Sequence, residues 1–358
     1  MDFKFSADKI LKVYGDIKNL QGKIFGYMNC IDATTKEDTK INALVNEALK
    51  SAEIEGENLE FEQLKNASTA KIGINSSNTS KFKHEKNGMI EMLHNATQHY
   101  KKPLTHERLF KWHSLIYPNG FSGQYKIEVG NYRQGEMKFF QGTFGKEKKY
   151  FEGIPAPNIN QEMDIFLAWL NQESDLDKLI KAAIAHFWFI SIHAFDDGNG
   201  IIARAISDLL LARAVDSSER YYGLSSEILK EDHKYKRLID TFKLNCDDYT
   251  DWIYWFLNCL KNALISTEAS LTAIFKKTEF WRLHAKTEIN ERQRLLLNYL
   301  LDNVESKLKS SSWAILANCS PDTALRDIKD LISKNILKQD ELGGRSTNYE
   351  LVCFNDKS

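Results

Sequence analysis

Apolar positions recur along most of this chain at helical spacing, and the few stretches that break the rhythm are equally informative. Residues 10–28 and 40–54 are amphipathic, and in the second Ile41, Leu44, Val45, Ala48 and Leu49 form one stripe. Residues 68–83 are polar and rich in serine, threonine and asparagine, which predicts a loop. From about 86 to 265 helical patterns dominate, including 161–171 and 179–192. The latter carries alanine and aromatic residues all round, so it predicts a helix buried on most sides. Between them, 135–153 holds Phe139, Phe140, Phe144, Tyr150 and Phe151 around Gly142 and Gly145. Two short aromatic strands joined by a glycine-containing turn predict a β-hairpin.

Residues 287–352 change character. A helical segment at 291–301 precedes 311–317, and Ser320-Pro321 then reads as N-cap and first residue of a helix through Leu331. Gly343-Gly344-Arg345 sits between Ile336-Leu337 and Tyr349-Glu350-Leu351-Val352, as in a small β-wing. The order resembles a winged helix-turn-helix. The expected domains are a helical N-terminal region at 1–85, a main helical domain at 86–270, a linker at 271–286 and this small domain at 287–352.

Composition narrows the function. A chain of 358 residues with 42% hydrophobic content can fill two or three ordinary cores. Its net charge of −1 gives no general attraction to nucleic acid or acidic lipid. Residues 286–352 carry ten basic and ten acidic side chains, a balance that weighs against strong DNA binding through the C-terminal domain. Five scattered cysteines with no C-x-x-C point to a reducing, cytoplasmic setting, and no apolar run approaches a membrane span.

The chemistry concentrates in His193-Ala194-Phe195-Asp196-Asp197-Gly198-Asn199-Gly200 and the helix-forming run from Ile201 to Arg213. A glycine-rich turn feeding a helix leaves backbone N–H groups aimed outward, a ready phosphate site. Asp197 at its edge suits Mg²⁺, which takes one or two carboxylates plus phosphate oxygens. Arg204, a turn into the helix, can reach an outer phosphate, and His193 can accept a proton from a hydroxyl near neutral pH.

This segment resembles the signature of the Fic family, His-Pro-Phe-x-(Asp/Glu)-Gly-Asn-Gly-Arg-x-x-Arg. The resemblance implies a mainly α protein: an all-helical Fic core with a β-hairpin flap, a helical N-terminal region and a small α+β winged helix-turn-helix domain. It implies a protein adenylyltransferase that moves AMP from Mg²⁺-ATP to a serine, threonine or tyrosine hydroxyl and releases pyrophosphate. His193 would be the general base, Asp197 the Mg²⁺ ligand, Gly198, Asn199 and Gly200 the phosphate cradle, and Arg204 the γ-phosphate ligand. Phe195 would anchor the loop. The flap, at about 136–152, would align the target protein by strand pairing; homo-oligomerisation is left open. Two positions depart from the signature. Ala194 replaces proline, and Ile201 replaces the first arginine. Loss of a charge-assisted contact is worth about 1.5–3 kcal/mol, so the site would be slow, use another nucleotide, or recruit Arg133 or Lys146.

Ser51-Ala52-Glu53-Ile54-Glu55-Gly56 matches the family's inhibitory motif, (Ser/Thr)-x-x-x-Glu-(Gly/Asn), at the end of the amphipathic stretch 40–56. On that resemblance Glu55 pairs with Arg204 in place of the γ-phosphate, and Ser51 holds the Glu55 carboxylate. Read from the residues alone, Glu55-Gly56 is rather a solvated helix end with glycine at C′. Removal of AMP, transfer of another nucleotide, and a nucleotide-sensing regulator with a weakened site remain alternatives.

Overall fold

The computed structural model describes residues 3–72, 88–141, 148–241, 248–302, 308–339 and 348–352. The chain is mainly helical and divides into two units, Met1–Thr267 and Glu268–Ser358.

The first unit begins with α1 (Ala7–Cys30) and α2 (Ala33–Ile54). α2 starts upstream of its apolar stripe because Asp32 caps it, accepting the Thr35 N–H at 2.9 Å. Its buried side is Ile41, Val45, Glu47, Ala48, Ser51 and Ala52. α3 (Phe61–Ile72) runs into the stretch expected as a loop. Ser68 and Thr69 are helical there because each hydroxyl donates to a carbonyl four residues back, Leu64 and Lys65, at 2.9 Å. That satisfies groups that elsewhere compete with the helix. The remainder of the expected loop, from 73, lies outside the described residues.

α4 (Gly88–Gln98) and α5 (His106–Ile116) lead to a short hairpin of β1 (Phe121–Ser122) and β2 (Tyr125–Lys126) that the sequence pattern did not reveal. A second hairpin pairs β3 (Lys138–Gln141) with β4 (Lys148–Glu152) in antiparallel register, with an irregularity between Phe139 and Phe140. Its strands fall inside the expected 136–152. The turn at 142–147, with Gly142, Phe144, Gly145 and Lys146, lies outside the described residues.

After α6 (Ile159–Asn171) come the two central helices, α7 (Lys178–Ile192) and α8 (Asn199–Val215). Every residue of α7 except Lys178 and Ser191 is buried, as its all-round apolar pattern requires. Asp177 caps it, accepting the Leu179 N–H at 2.8 Å. α9 (Ser225–Lys230), α10 (Asp232–Thr241) and α11 (Thr250–Leu283) follow. The expected linker at 271–286 is therefore helical as far as Leu283, and Leu271 and Phe280 within it are buried.

In the second unit α12 (Glu291–Asp302), α13 (Ser310–Leu316) and α14 (Pro321–Ser333) accompany β5 (Leu308–Lys309), β6 (Leu337–Gln339) and β7 (Asn348–Leu351). The strands form one antiparallel sheet in the order β5-β7-β6. Ser320 caps α14 by accepting the Thr323 N–H at 3.2 Å, with Pro321 in the first turn. Leu296, Leu297, Leu300, Trp313, Ile328 and Leu331 are among the residues of its core. Asp327 does not face outward from α14: it is buried and bound by Arg292 at 2.9 Å and Asn290 at 3.1 Å. Gly343-Gly344-Arg345 lies outside the described residues, and none of the described helices is long and apolar enough to cross a membrane.

Three histidines of the first unit are held neutral. Burial pushes His113 and His193 down to about 4 and His186 to about 3. His186 lies between the Ser207 hydroxyl at 2.8 Å and the Tyr235 hydroxyl at 3.0 Å. Because these folded-state values lie below the usual 6.5, the unfolded chain takes up protons first as pH falls. Their contribution is complete above about pH 6.5 and is lost toward pH 4. Denaturant unfolding at pH 5 should give a stability at least ~2 kcal/mol below that at pH 7.5; equal stabilities would mean these rings are not buried neutral.

Candidate active site

The site grows from the junction of α7 and α8. His193 ends α7 in the left-handed conformation, φ 52°, an uncommon choice for a non-glycine residue that turns the chain sharply. Arg133 holds this turn from behind. Its Nε donates to the His193 carbonyl at 2.6 Å, its Nη1 to Gly135 O at 2.6 Å and its Nη2 to Ile154 O, while its backbone N–H donates to Ala194 O at 3.0 Å. Both ends of the β3–β4 hairpin are thereby tied to the His193 backbone. A Cβ at Gly153 would lie 2.7 Å from Arg133 Nη2 and 3.2 Å from His193 Cβ, so only glycine fits there.

The loop that follows is braced internally. Phe195 is buried and stacks on His113 at 4.3 Å. Asn199 accepts the Phe195 N–H at 2.9 Å and donates to the Phe195 carbonyl at 2.8 Å. Its side chain is thus consumed by the loop, and only its backbone is available to a phosphate. His113 accepts the Gly130 N–H on Nδ1 and donates from Nε2 to Asp197 O, each at 3.2 Å, which fixes one neutral tautomer. Gly198 has φ 77°, and a Cβ there would meet the Tyr117 ring at 2.8 Å.

Asp197 accepts the Gly198 N–H at 2.7 Å on Oδ1 and the Ser122 hydroxyl on Oδ2, so the β1–β2 hairpin aims its carboxylate. Burial, with the charges of Asp197 and Glu55, raises Glu57 above the usual carboxylate range. Negative potential therefore accumulates beside Asp197, the environment that attracts a cation. Among the described residues no group of three or more His, Cys, Asp or Glu side chains could hold a metal, so a structural zinc or a multi-ligand hydrolase centre finds no support there.

No side chain caps the N-terminus of α8. The Glu55 carboxylate stands at it instead: a Cβ on Gly200 would lie 2.0 Å from Glu55 Oε1. Fully buried Arg204 donates from Nη2 to Glu55 Oε1 at 2.8 Å and to Ser51 O at 2.9 Å, and from Nε to Ser51 Oγ at 2.8 Å. The Ser51 hydroxyl therefore serves Arg204, not the Glu55 carboxylate as expected. Glu55 also closes α2, with Gly56 at φ 82° beyond it, so the helix-end reading and the arginine pairing hold together.

Residues 103–211 match the Fic/DOC family. The chain carries a Fic/DOC domain. Residues 1–74 match a domain of unknown function, DUF4172. The chain is similar to a probable protein adenylyltransferase of Aquifex aeolicus, 30% identical over 183 residues, which is 51% of this chain and 49% of that protein. It is also similar to a protein adenylyltransferase Fic of Culex quinquefasciatus, 28% identical over 128 residues, 34% and 24% of the two chains. It thus spans about half the length of the first relative and about a quarter of the second. A Fic family protein from Desulfovibrio desulfuricans shares the fold with TM-score 0.55 and 16% identity over 98% of both chains. A Fic domain containing signaling protein from Bacteroides thetaiotaomicron does so with TM-score 0.53 and 22% identity over 72% of this chain and 95% of that one.

The Fic domain brings His193, Asp197, Gly198, Asn199, Gly200 and Arg204 together with Glu55 and Ser51 from α2. Ile201 is fully buried in α8. Arg133 is buried, and each of its side-chain nitrogens donates to a backbone carbonyl, so it acts as a structural clamp. Lys146 lies outside the described residues. Sequence reasoning missed Arg133 as a clamp, His113 as a loop support and Ser122 as the partner of Asp197; none carries a local pattern that announces the role. Arg133→Ala removes the donor from three part-buried carbonyl contacts and should lower stability by ~3 kcal/mol in urea unfolding; a loss under ~1 kcal/mol would show that the clamp is dispensable.

Proposed function

We propose that this protein is an autoinhibited protein adenylyltransferase, in which α2 blocks the nucleotide site of the Fic domain. The observation that carries the reading is the Glu55 carboxylate on Arg204 and over Gly200, where an anion would otherwise sit. The domain match and the similarity to adenylyltransferases supply the reaction class.

In this reading the α-phosphate end of ATP lies against the uncapped N–H groups of α8, and Arg204 receives the γ-phosphate when Glu55 withdraws. Asp197, its carboxylate oriented by Ser122 and Gly198, would hold Mg²⁺. The metal would supply charge neutralisation on the triphosphate. His193, depressed to about 4 by burial and the Arg133 charge, is neutral at pH 7 and free of competing protonation. It takes the proton of a target hydroxyl as that oxygen bonds to the α-phosphorus. The bond to the bridging β-phosphate oxygen breaks, and pyrophosphate leaves. The β3–β4 hairpin, tied to His193 through Arg133, is placed to present a strand edge to the target protein. With Glu55 in place, ATP binds with its α-phosphate turned from in-line attack.

Ile201 favours a second reading. A fully apolar, buried residue stands where the signature has arginine, and Arg133 is committed elsewhere. A slower transfer or a different nucleotide follows if that charge is not restored. The helices and three-stranded sheet of the second unit support reading it as a winged helix-turn-helix module.

Incubation of wild type, Glu55→Gly and His193→Ala with Mg²⁺ and each nucleoside triphosphate, followed by intact mass measurement, tests the proposal. Glu55→Gly should gain the mass of one AMP at least tenfold faster than wild type, and His193→Ala in the same background should gain none. Equal rates for wild type and Glu55→Gly would remove the inhibitory role. Preference for another nucleotide would place the departure at Ile201.

A further inference from the structure

The Glu55 contact joins a carboxylate that remains 33% exposed to the buried Arg204, so water reaches one side of the pair. Eight residues upstream, just over two turns along the same face of α2, Glu47 makes a different kind of contact. Its side chain is 3% exposed. Oε2 accepts the backbone N–H of Ser225 at 3.0 Å, and Oε1 accepts the Ser225 hydroxyl. Ser225 opens α9, whose own N-cap residue is Leu224 and offers no side-chain acceptor. A residue of α2 therefore supplies the acceptor that the Fic domain lacks at this point.

The contact continues inward. Arg220 Nη2 lies 3.8 Å from Glu47 Oε2, and Arg220 Nη1 pairs with Asp208 of α8, itself buried. The Arg220 guanidinium lies 4.8 Å from the centre of the Tyr222 ring. Gly223 is shaped to this approach, since a Cβ there would stand 3.1 Å from Glu47 Oε2. Removing one member of such a set leaves charges buried without compensation, which is far costlier than breaking a solvated pair.

We propose that Glu47 is the latch that keeps α2 on the Fic domain, and that the Glu55 turn is the gate, opening while the latch stays closed. The inference builds on the proposed role of α2 as inhibitor but concerns how the helix is held. On it, relief of inhibition requires only that the last turn of α2 lift from Arg204, with no undocking of the helix. At the other end of α2, Lys36 and Lys40 pair with Glu219 at 3.1 and 2.9 Å.

Hydrogen–deuterium exchange of the full chain, read on peptides spanning 41–49 and 50–56, separates latch from gate. Glu55→Gly should raise exchange at least tenfold in 50–56 and leave 41–49 at the wild-type rate. Glu47→Gln keeps the side-chain volume but loses the charge, and should raise exchange at least tenfold in both peptides while α7 and α8 stay protected. If Glu47→Gln loses protection throughout, Ser225→Ala decides; it removes one hydroxyl donor and should raise exchange in 41–49 severalfold. The proposal is overturned if the decisive variant leaves 41–49 unchanged, or if Glu55→Gly alone frees 41–49. Nucleotide transfer is followed in parallel. If no variant transfers a nucleotide but exchange changes as stated, the adenylyltransferase reading falls and the latch stands.

Discussion

A guanidinium that cannot give up its proton and sees no solvent must have its charge answered by an anion or by carbonyl dipoles. Arg204 is in that position at 0% exposure, and its need organises the surroundings. The N-terminus of α8 adds its own unpaired donors to the same point, so the Fic domain presents a concentrated positive site before any ligand arrives. α2 supplies the answering charge through Glu55 and a carbonyl through Ser51. Gly200 has no side chain because that charge occupies the space one would fill.

The second determinant is how the loop between α7 and α8 keeps its shape. Its turns rest on a left-handed His193, a left-handed Gly198 and an asparagine that closes a ring onto Phe195. These backbone conformations and the asparagine ring fix where the imidazole and the Asp197 carboxylate point. His113 and Ser122 extend the bracing from α5 and the short β1–β2 hairpin. A backbone held in uncommon conformations persists only when its neighbours over-determine it, which is the case here.

Much of this was legible in the sequence because the signals were local. The all-round apolar run of 179–192 announced a buried helix, and Gly198-Asn199-Gly200 before a helix-forming run announced the turn into α8. Ser320-Pro321 marked the start of α14. What escaped depended on long-range partners. Arg133 acts sixty residues away on His193, and no spacing rule connects them. The helical Ser68 and Thr69 escaped because back-bonding of their hydroxyls reverses a composition signal. Asp327 was one of ten acidic side chains in a charge count, and only the fold pairs it with Arg292. Ser51 was read as a support for Glu55 from proximity along the helix, whereas the guanidinium between them takes its hydroxyl.

Arg133 binds carbonyl oxygens rather than carboxylates. Carbonyl dipoles do not titrate, and contacts at hydrogen-bond distance inside the protein lie well within the range that dissolved ions screen. The Glu55 carboxylate, by contrast, keeps one side in water. Dissolved ions therefore reach it before they reach the carbonyls that seat His193. The turn at the histidine is held by dipoles, whereas the end of α2 answers to charge.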